Sequence, residues 1–157
     1  MLKYVDTKVT FSEVPDEISL CINISNCPCH CRNCHSSYLA QDIGTELTFN
    51  EVRKLIKKNS GISCIAIMGG DAEPDKINTL ASFIINHYNS IKVAWYSGRQ
   101  ELSKEIDLQN FDFIKLGPYI EELGPLNSRT TNQRFYKVNG KELVDITSKF
   151  WKHETEN

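Results

Sequence analysis

Ser19-Leu-Cys-Ile-Asn-Ile-Ser-Asn-Cys-Pro-Cys-His-Cys-Arg-Asn-Cys-His35 is a candidate strand that runs straight into a cluster of thiols. Leu20, Ile22 and Ile24 alternate onto one face, the period of a β-strand. A second run, Ile62-Ser-Cys-Ile-Ala-Ile-Met68, is almost continuously apolar, as a strand buried on both faces must be, and it ends in Gly69-Gly-Asp71. A third, Ile91-Lys-Val-Ala-Trp-Tyr96, ends at Ser97-Gly-Arg99; a fourth, Phe111-Asp-Phe-Ile-Lys-Leu116, ends at Gly117-Pro118. Helical patterns separate them. Thr48 and Glu51 make a capping box ahead of the apolar face Val52, Leu55 and Ile56, with Gly61 just past the end. Pro74 suits the first turn of a second helix, whose apolar residues Ile77, Leu80, Ala81, Ile84 and Tyr88 recur at helical spacing. A short helix is expected over Gln100–Ile106. Strands alternating with helices predict an α/β fold with a parallel sheet and crossover helices.

The last third reads differently. Asn139-Gly140, between Arg134-Phe-Tyr-Lys-Val138 and Lys141-Glu-Leu-Val-Asp-Ile146, signals a type I′ turn and so a C-terminal β-hairpin. Phe150 and Trp151 are expected to anchor the tail by packing. No repeat or linker divides the chain, and 157 residues suffice for one domain, 1–157, with its own core. The composition, 40% hydrophobic and 24% charged, is that of a globular protein, and a net charge of −2 gives no reason to expect nucleic acid or an anionic membrane as partner. The first residues lack the apolar core of a signal peptide, and no run approaches the roughly 18 apolar residues that span a bilayer. The expectation is a soluble, cytoplasmic protein.

Four of the six cysteines crowd into residues 27–34. In a reducing compartment such crowding favours metal or redox work over disulfides. Cys27, Cys31 and Cys34 follow the spacing C-x3-C-x2-C, which supplies three thiolates. A closed structural metal site takes four ligands, whereas a reactive one keeps a position open; a four-iron cluster on three cysteines leaves one iron for a substrate. Other readings stand beside this one. Zinc could draw on two of these cysteines, with His30, His35, Cys29, Cys21 or Cys64 completing a tetrahedron, although no second ligand pair follows at zinc-finger spacing. Cys31 and Cys34 also form a C-x-x-C redox pair, which leaves Cys27 without a role. Cys29 is treated as spare, and Cys21 and Cys64 as packing residues, free cysteine being commonly buried.

Taken together, the run Asn26-Cys-Pro…Cys31-Arg-Asn-Cys-His-Ser-Ser-Tyr-Leu39, the Gly69-Gly-Asp71 strand end, Trp95-Tyr-Ser-Gly98, Ile114-Lys-Leu-Gly-Pro-Tyr-Ile-Glu-Glu122 and Thr131-Asn-Gln-Arg134 resemble the radical S-adenosylmethionine superfamily. Within it they are most similar to the activating proteins of anaerobic (class III) ribonucleoside-triphosphate reductase. The resemblance implies an open, incomplete (β/α) barrel of the radical SAM type, since this chain is too short for a closed ring of about 250 residues. It implies a [4Fe–4S] cluster on Cys27, Cys31 and Cys34 and a cofactor, S-adenosyl-L-methionine, bound at the free iron and cleaved reductively to methionine and a 5′-deoxyadenosyl radical. The radical would take a hydrogen atom from a glycine Cα of the reductase large subunit. A low-potential donor such as flavodoxin or ferredoxin would supply the electron. Cofactor contacts fall to Gly69 and Gly70, where backbone can come close, to Asp71 toward the methionyl ammonium, to Ser97 and Gly98, and to Lys115 toward the carboxylate. Two positions depart from the family pattern. Asn33 stands where many members carry an aromatic residue against adenine, leaving Tyr38 or backbone for that contact, and Cys29 is an extra thiol. Another glycyl radical enzyme, a peptide or a small molecule as target, and a non-catalytic zinc module, are the competing functions.

Overall fold

The computed structural model describes residues 2–28 and 41–151. Its strands are β1 (Lys3–Thr10), β2 (Ser19–Ile24), β3 (Thr45–Glu46), β4 (Cys64–Met68), β5 (Lys92–Tyr96), β6 (Phe113–Leu116), β7 (Arg134–Asn139) and β8 (Glu142–Asp145). They form one sheet in the order β3-β1-β2-β4-β5-β6-β7-β8, open at both ends. The centre, β2-β4-β5-β6, is parallel, and both flanks are antiparallel. The expected α/β class therefore holds, as a mixed sheet with two α-helices among the described residues: α1 (Phe49–Lys58) and α2 (Pro74–His87).

Alternation along the strands sends side chains to two unlike faces. Leu20, Ile22, Ile24, Ile65, Ile67, Val93, Trp95 and Ile114 share a core with Val52 and Leu55 of α1 and Ile77, Leu80 and Ile84 of α2. The other face carries Cys21, Cys64, Ala66, Ala94, Tyr96, Phe113 and Phe135, covered by Val14, Leu126, Ile146 and Phe150 rather than by either helix. Its middle row is built of small side chains, with Cys21 opposite Ala66 and Ala66 opposite Ala94. Phe150 meets Phe135 edge-on at 5.1 Å, and Trp151 donates its indole N–H to the Leu126 carbonyl at 3.1 Å, so both tail aromatics pack as expected.

Four local expectations change. The strand Ser19–Ile24 is preceded by β1, which pairs with it antiparallel. Charged and hydroxyl residues at Lys3, Asp6, Thr7 and Lys8 keep β1 half in solvent, which masks its alternation. Thr48 caps α1 through its side chain, accepting from the Glu51 N–H at 3.1 Å, but the Glu51 carboxylate goes to the Tyr4 hydroxyl at 2.6 Å. A tertiary partner thus takes the second half of the capping box. Residues 100–106 form turns and not a helix, and a 3-10 segment at Leu108–Asn110 follows. Ser103 and Asp107 side chains accept from the Glu105 and Gln109 N–H groups, the local competition that disfavours helix.

The fourth change is the hairpin turn. Asn139 pairs with Glu142, so Gly140-Lys141 occupies the turn. Gly140 has φ +64 while Lys141 is not left-handed, the pattern of a II′ turn rather than I′. This register sets Val138 opposite Leu143, both packed against the helix-side core, and cross-strand apolar pairing outweighs the intrinsic preference of Asn-Gly for the turn.

Candidate functional site at the strand ends

Because β2, β4, β5 and β6 run parallel, their carboxyl ends share one edge, and ligands of open α/β sheets bind beyond such edges. At the end of β2 the chain turns sharply. The Ser25 N–H donates to the Lys3 carbonyl and the Asn26 N–H to the Gln41 carbonyl, each at 2.9 Å. Asn26 is left-handed at φ +61, a conformation Asn tolerates better than most residues. The second of these bonds joins the described residues on either side of the cysteine segment. Cys27 follows, half-buried. Cys29, His30, Cys31, Asn33, Cys34, His35 and Tyr38 lie outside the described residues, so Cys27 is the member of the expected ligand set that can be located.

β4 ends in two left-handed glycines. Gly69 donates its N–H to the Tyr96 carbonyl at 2.9 Å and accepts the Trp95 indole N–H at 2.7 Å. A Cβ on Gly69 would lie 3.2 Å from the Ile24 carbonyl oxygen, so the ends of β2 and β4 are in close contact there. A Cβ on Gly70 would lie 2.4 Å from Cδ1 of Ile77 in α2. At both glycines the room for a side chain is taken by protein, which accounts for glycine through packing. The crevice between Asn26 and Gly70 is only about 10 Å³, marginal even for one water molecule.

Asp71 is 7% exposed and ties β4 to β5. One carboxylate oxygen accepts from the Ser97 hydroxyl at 2.5 Å and the other from the Gly98 N–H at 2.8 Å. The first is short, as a hydroxyl bound to a carboxylate should be. Ser97 is fully enclosed, and its N–H donates to the Lys115 carbonyl at 2.9 Å. Its hydroxyl oxygen accepts from the Arg99 N–H at 3.1 Å, and its carbonyl accepts from the Lys115 ammonium at 3.2 Å. Lys115, 8% exposed, also donates to the Gly117 carbonyl at 2.7 Å. The structure thus joins Asp71, Ser97, Gly98 and Lys115 in one network, with Gly69 bound to its Trp95 side and Gly70 packed beneath α2.

A cleft of about 270 Å³ opens beside this network, lined by Asp71, Pro74, Trp95, Ser97, Arg99, Glu101 and Ser103. Arg99 reads in the sequence only as part of the strand-end turn Ser97-Gly-Arg99, and Glu101 and Ser103 only as part of the helix expected over residues 100–106, so none of the three stands out there as a site residue. Their position directly after a strand end was the available signal.

The remaining described cysteines are chemically different. Burial pushes the Cys21 thiol up to about 11 and the Cys64 thiol up to about 12, from an ordinary value of 9.0. Both are held as thiols in the sheet interior, in keeping with the packing role expected of them. Cys27 stands at the chain's exit from that interior. In kind, a half-buried thiol with three more cysteines close in sequence, two of them at the C-x3-C-x2-C spacing, suits an iron–sulfur centre. Among the described residues, no group of three His, Cys, Asp or Glu side chains gathers as a metal site, and no helix is long and apolar enough to cross a membrane. No protein-family model, curated protein or solved structure matches the chain.

Proposed function

We propose that this chain is a radical S-adenosylmethionine activating enzyme for an anaerobic ribonucleoside-triphosphate reductase, with its open sheet serving as an incomplete (β/α) barrel. The observation that carries the reading is a coincidence of place. The cysteine run begins at the carboxyl end of the first parallel strand, and the hydrogen-bonded group Asp71, Ser97, Gly98 and Lys115 lies on the same edge. Cys27, Cys31 and Cys34 would hold a [4Fe–4S] cluster. The chemistry such a cluster supplies when bound is one-electron reduction of the sulfonium of S-adenosylmethionine. The protein's own work is placement. The Asp71 carboxylate provides negative charge for the methionyl ammonium, and Lys115 positive charge for the carboxylate. Residues of the helix-free face would form the barrel's inner wall, with the open side admitting a glycine-bearing loop of the partner. Flavodoxin or ferredoxin is the class of donor, and the cytoplasm the compartment.

Anaerobic reconstitution with iron and sulfide tests the reading. It should give about four irons per chain, with brown charge-transfer absorption, lost on Cys27→Ala, Cys31→Ala or Cys34→Ala. Mixing the reduced protein with S-adenosylmethionine and the reductase should then yield a glycyl radical by electron paramagnetic resonance. One tightly bound zinc without iron uptake would overturn the proposal in favour of the zinc module.

A further inference from the structure

Ser97 sits where the two buried charges of the strand-end edge meet. Asp71 and Lys115 belong to different strand ends, β4 and β6, with β5 between them. Ser97 spans that gap with opposite ends of one residue: its hydroxyl donates to Asp71 at 2.5 Å and its carbonyl receives Lys115 at 3.2 Å. The neighbouring backbone repeats the tie, Gly98 N–H to Asp71 at 2.8 Å and Gly117 N–H to the Arg99 carbonyl at 2.7 Å. At 1% exposure the Ser97 side chain is shut off from water, so its bond to the carboxylate is made at low dielectric and has no solvent competitor.

We propose that Ser97 is the positioning residue of the site: by bridging Asp71 and Lys115 it locks the ends of β4, β5 and β6 into one ledge and fixes the Asp71 carboxylate for the cofactor's ammonium. This rests on the function proposed above. A cofactor held by an ammonium and a carboxylate needs the two protein charges at a set separation; the Ser97 main-chain carbonyl holds Lys115 whatever the side chain, and the seryl hydroxyl fixes Asp71 relative to it before the ligand arrives. Preorganisation of this kind shows in binding, because it removes an ordering cost that the ligand would otherwise bear.

The test compares Ser97→Ala with Ser97→Thr, which retains the hydroxyl. In the protein as purified, Ser97→Ala should speed amide exchange at Gly98 while leaving the amides of α1 unchanged. After reconstitution it should keep wild-type iron content, since Ser97, just past the end of β5, is not one of the cysteines expected to ligate iron. It should bind S-adenosylmethionine about tenfold more weakly, raising KM with kcat little changed, and Ser97→Thr should recover most of the affinity. Should Ser97→Ala not fold, Ser97→Cys, whose thiol is a weaker donor, should give an intermediate loss. Wild-type affinity in Ser97→Ala, or a loss of iron matching the loss of affinity, overturns the positioning role. Failure of the wild-type protein to bind S-adenosylmethionine at all overturns the function on which it rests, and the inference with it.

Discussion

Cys21 and Cys27 belong to one strand and its exit, yet they occupy opposite environments. Cys21 lies within β2 on the small-residue face, 4% exposed, with Thr10 Oγ1 3.7 Å from its sulfur. Cys64 is its counterpart on β4, fully buried. Both are surrounded on two sides by strands and kept neutral by burial. Cys27 has left the sheet through a left-handed Asn and stands at the edge where the other strand ends place their polar groups. The difference teaches that cysteine count is a poor guide to chemistry here; position along a parallel strand separates a packing thiol from a candidate ligand.

The sharpest way to break this comparison is to exchange the roles. Cys27→Ala should abolish cluster assembly, whereas Cys21→Ala and Cys64→Ala should each retain about four irons per chain. Iron and acid-labile sulfide analysis of reconstituted proteins reads the outcome. Loss of iron in Cys64→Ala with the fold intact by circular dichroism would erase the distinction between middle and edge.

The parallel core was legible because its strands are apolar on both faces, and no other local structure explains Ile62–Met68 followed by Gly-Gly. The site was legible in part. Asp71, Ser97, Gly98 and Lys115 stand at strand ends in the sequence and meet in space. What could not be read is the purpose of each contact. Gly70 is explained by Ile77, seven residues on, whose side chain only tertiary packing brings back onto it. Trp95 looks like one more core aromatic, though its indole N–H holds Gly69. β1 escaped notice because its polar residues mask the alternation, and Glu51 misled because its carboxylate meets the Tyr4 hydroxyl across 47 residues, where a propensity rule sees only neighbours.

Trp95 sharpens the comparison from the edge. Trp95→Phe keeps most of the buried ring but removes the donor to the Gly69 carbonyl, leaving that acceptor short of a partner. A cost of about 2 kcal/mol in urea unfolding is expected, with faster amide exchange concentrated at the β4 end. An equal loss of protection throughout the sheet would show that Trp95 serves the core alone.

The smallest effect comes from the middle. Cys64→Ala removes one buried sulfur and should cost about 1 kcal/mol at neutral pH. Its pH dependence is more telling. The unfolded thiol ionises near 9.0, whereas the folded one holds its proton to about 12. Above pH 9 unfolding therefore releases a proton, so the stabilising contribution is complete below pH 9 and declines as pH rises toward 12. Cys21 acts in the same direction over pH 9 to about 11. Cys64→Ala should consequently be less stable than wild type at pH 7 and show a shallower loss of stability between pH 9 and 11, as measured by urea titrations across that range. If the two proteins lose stability in parallel with rising pH, the sheet interior does not hold Cys64 neutral, and its contrast with the thiol at the strand end fails.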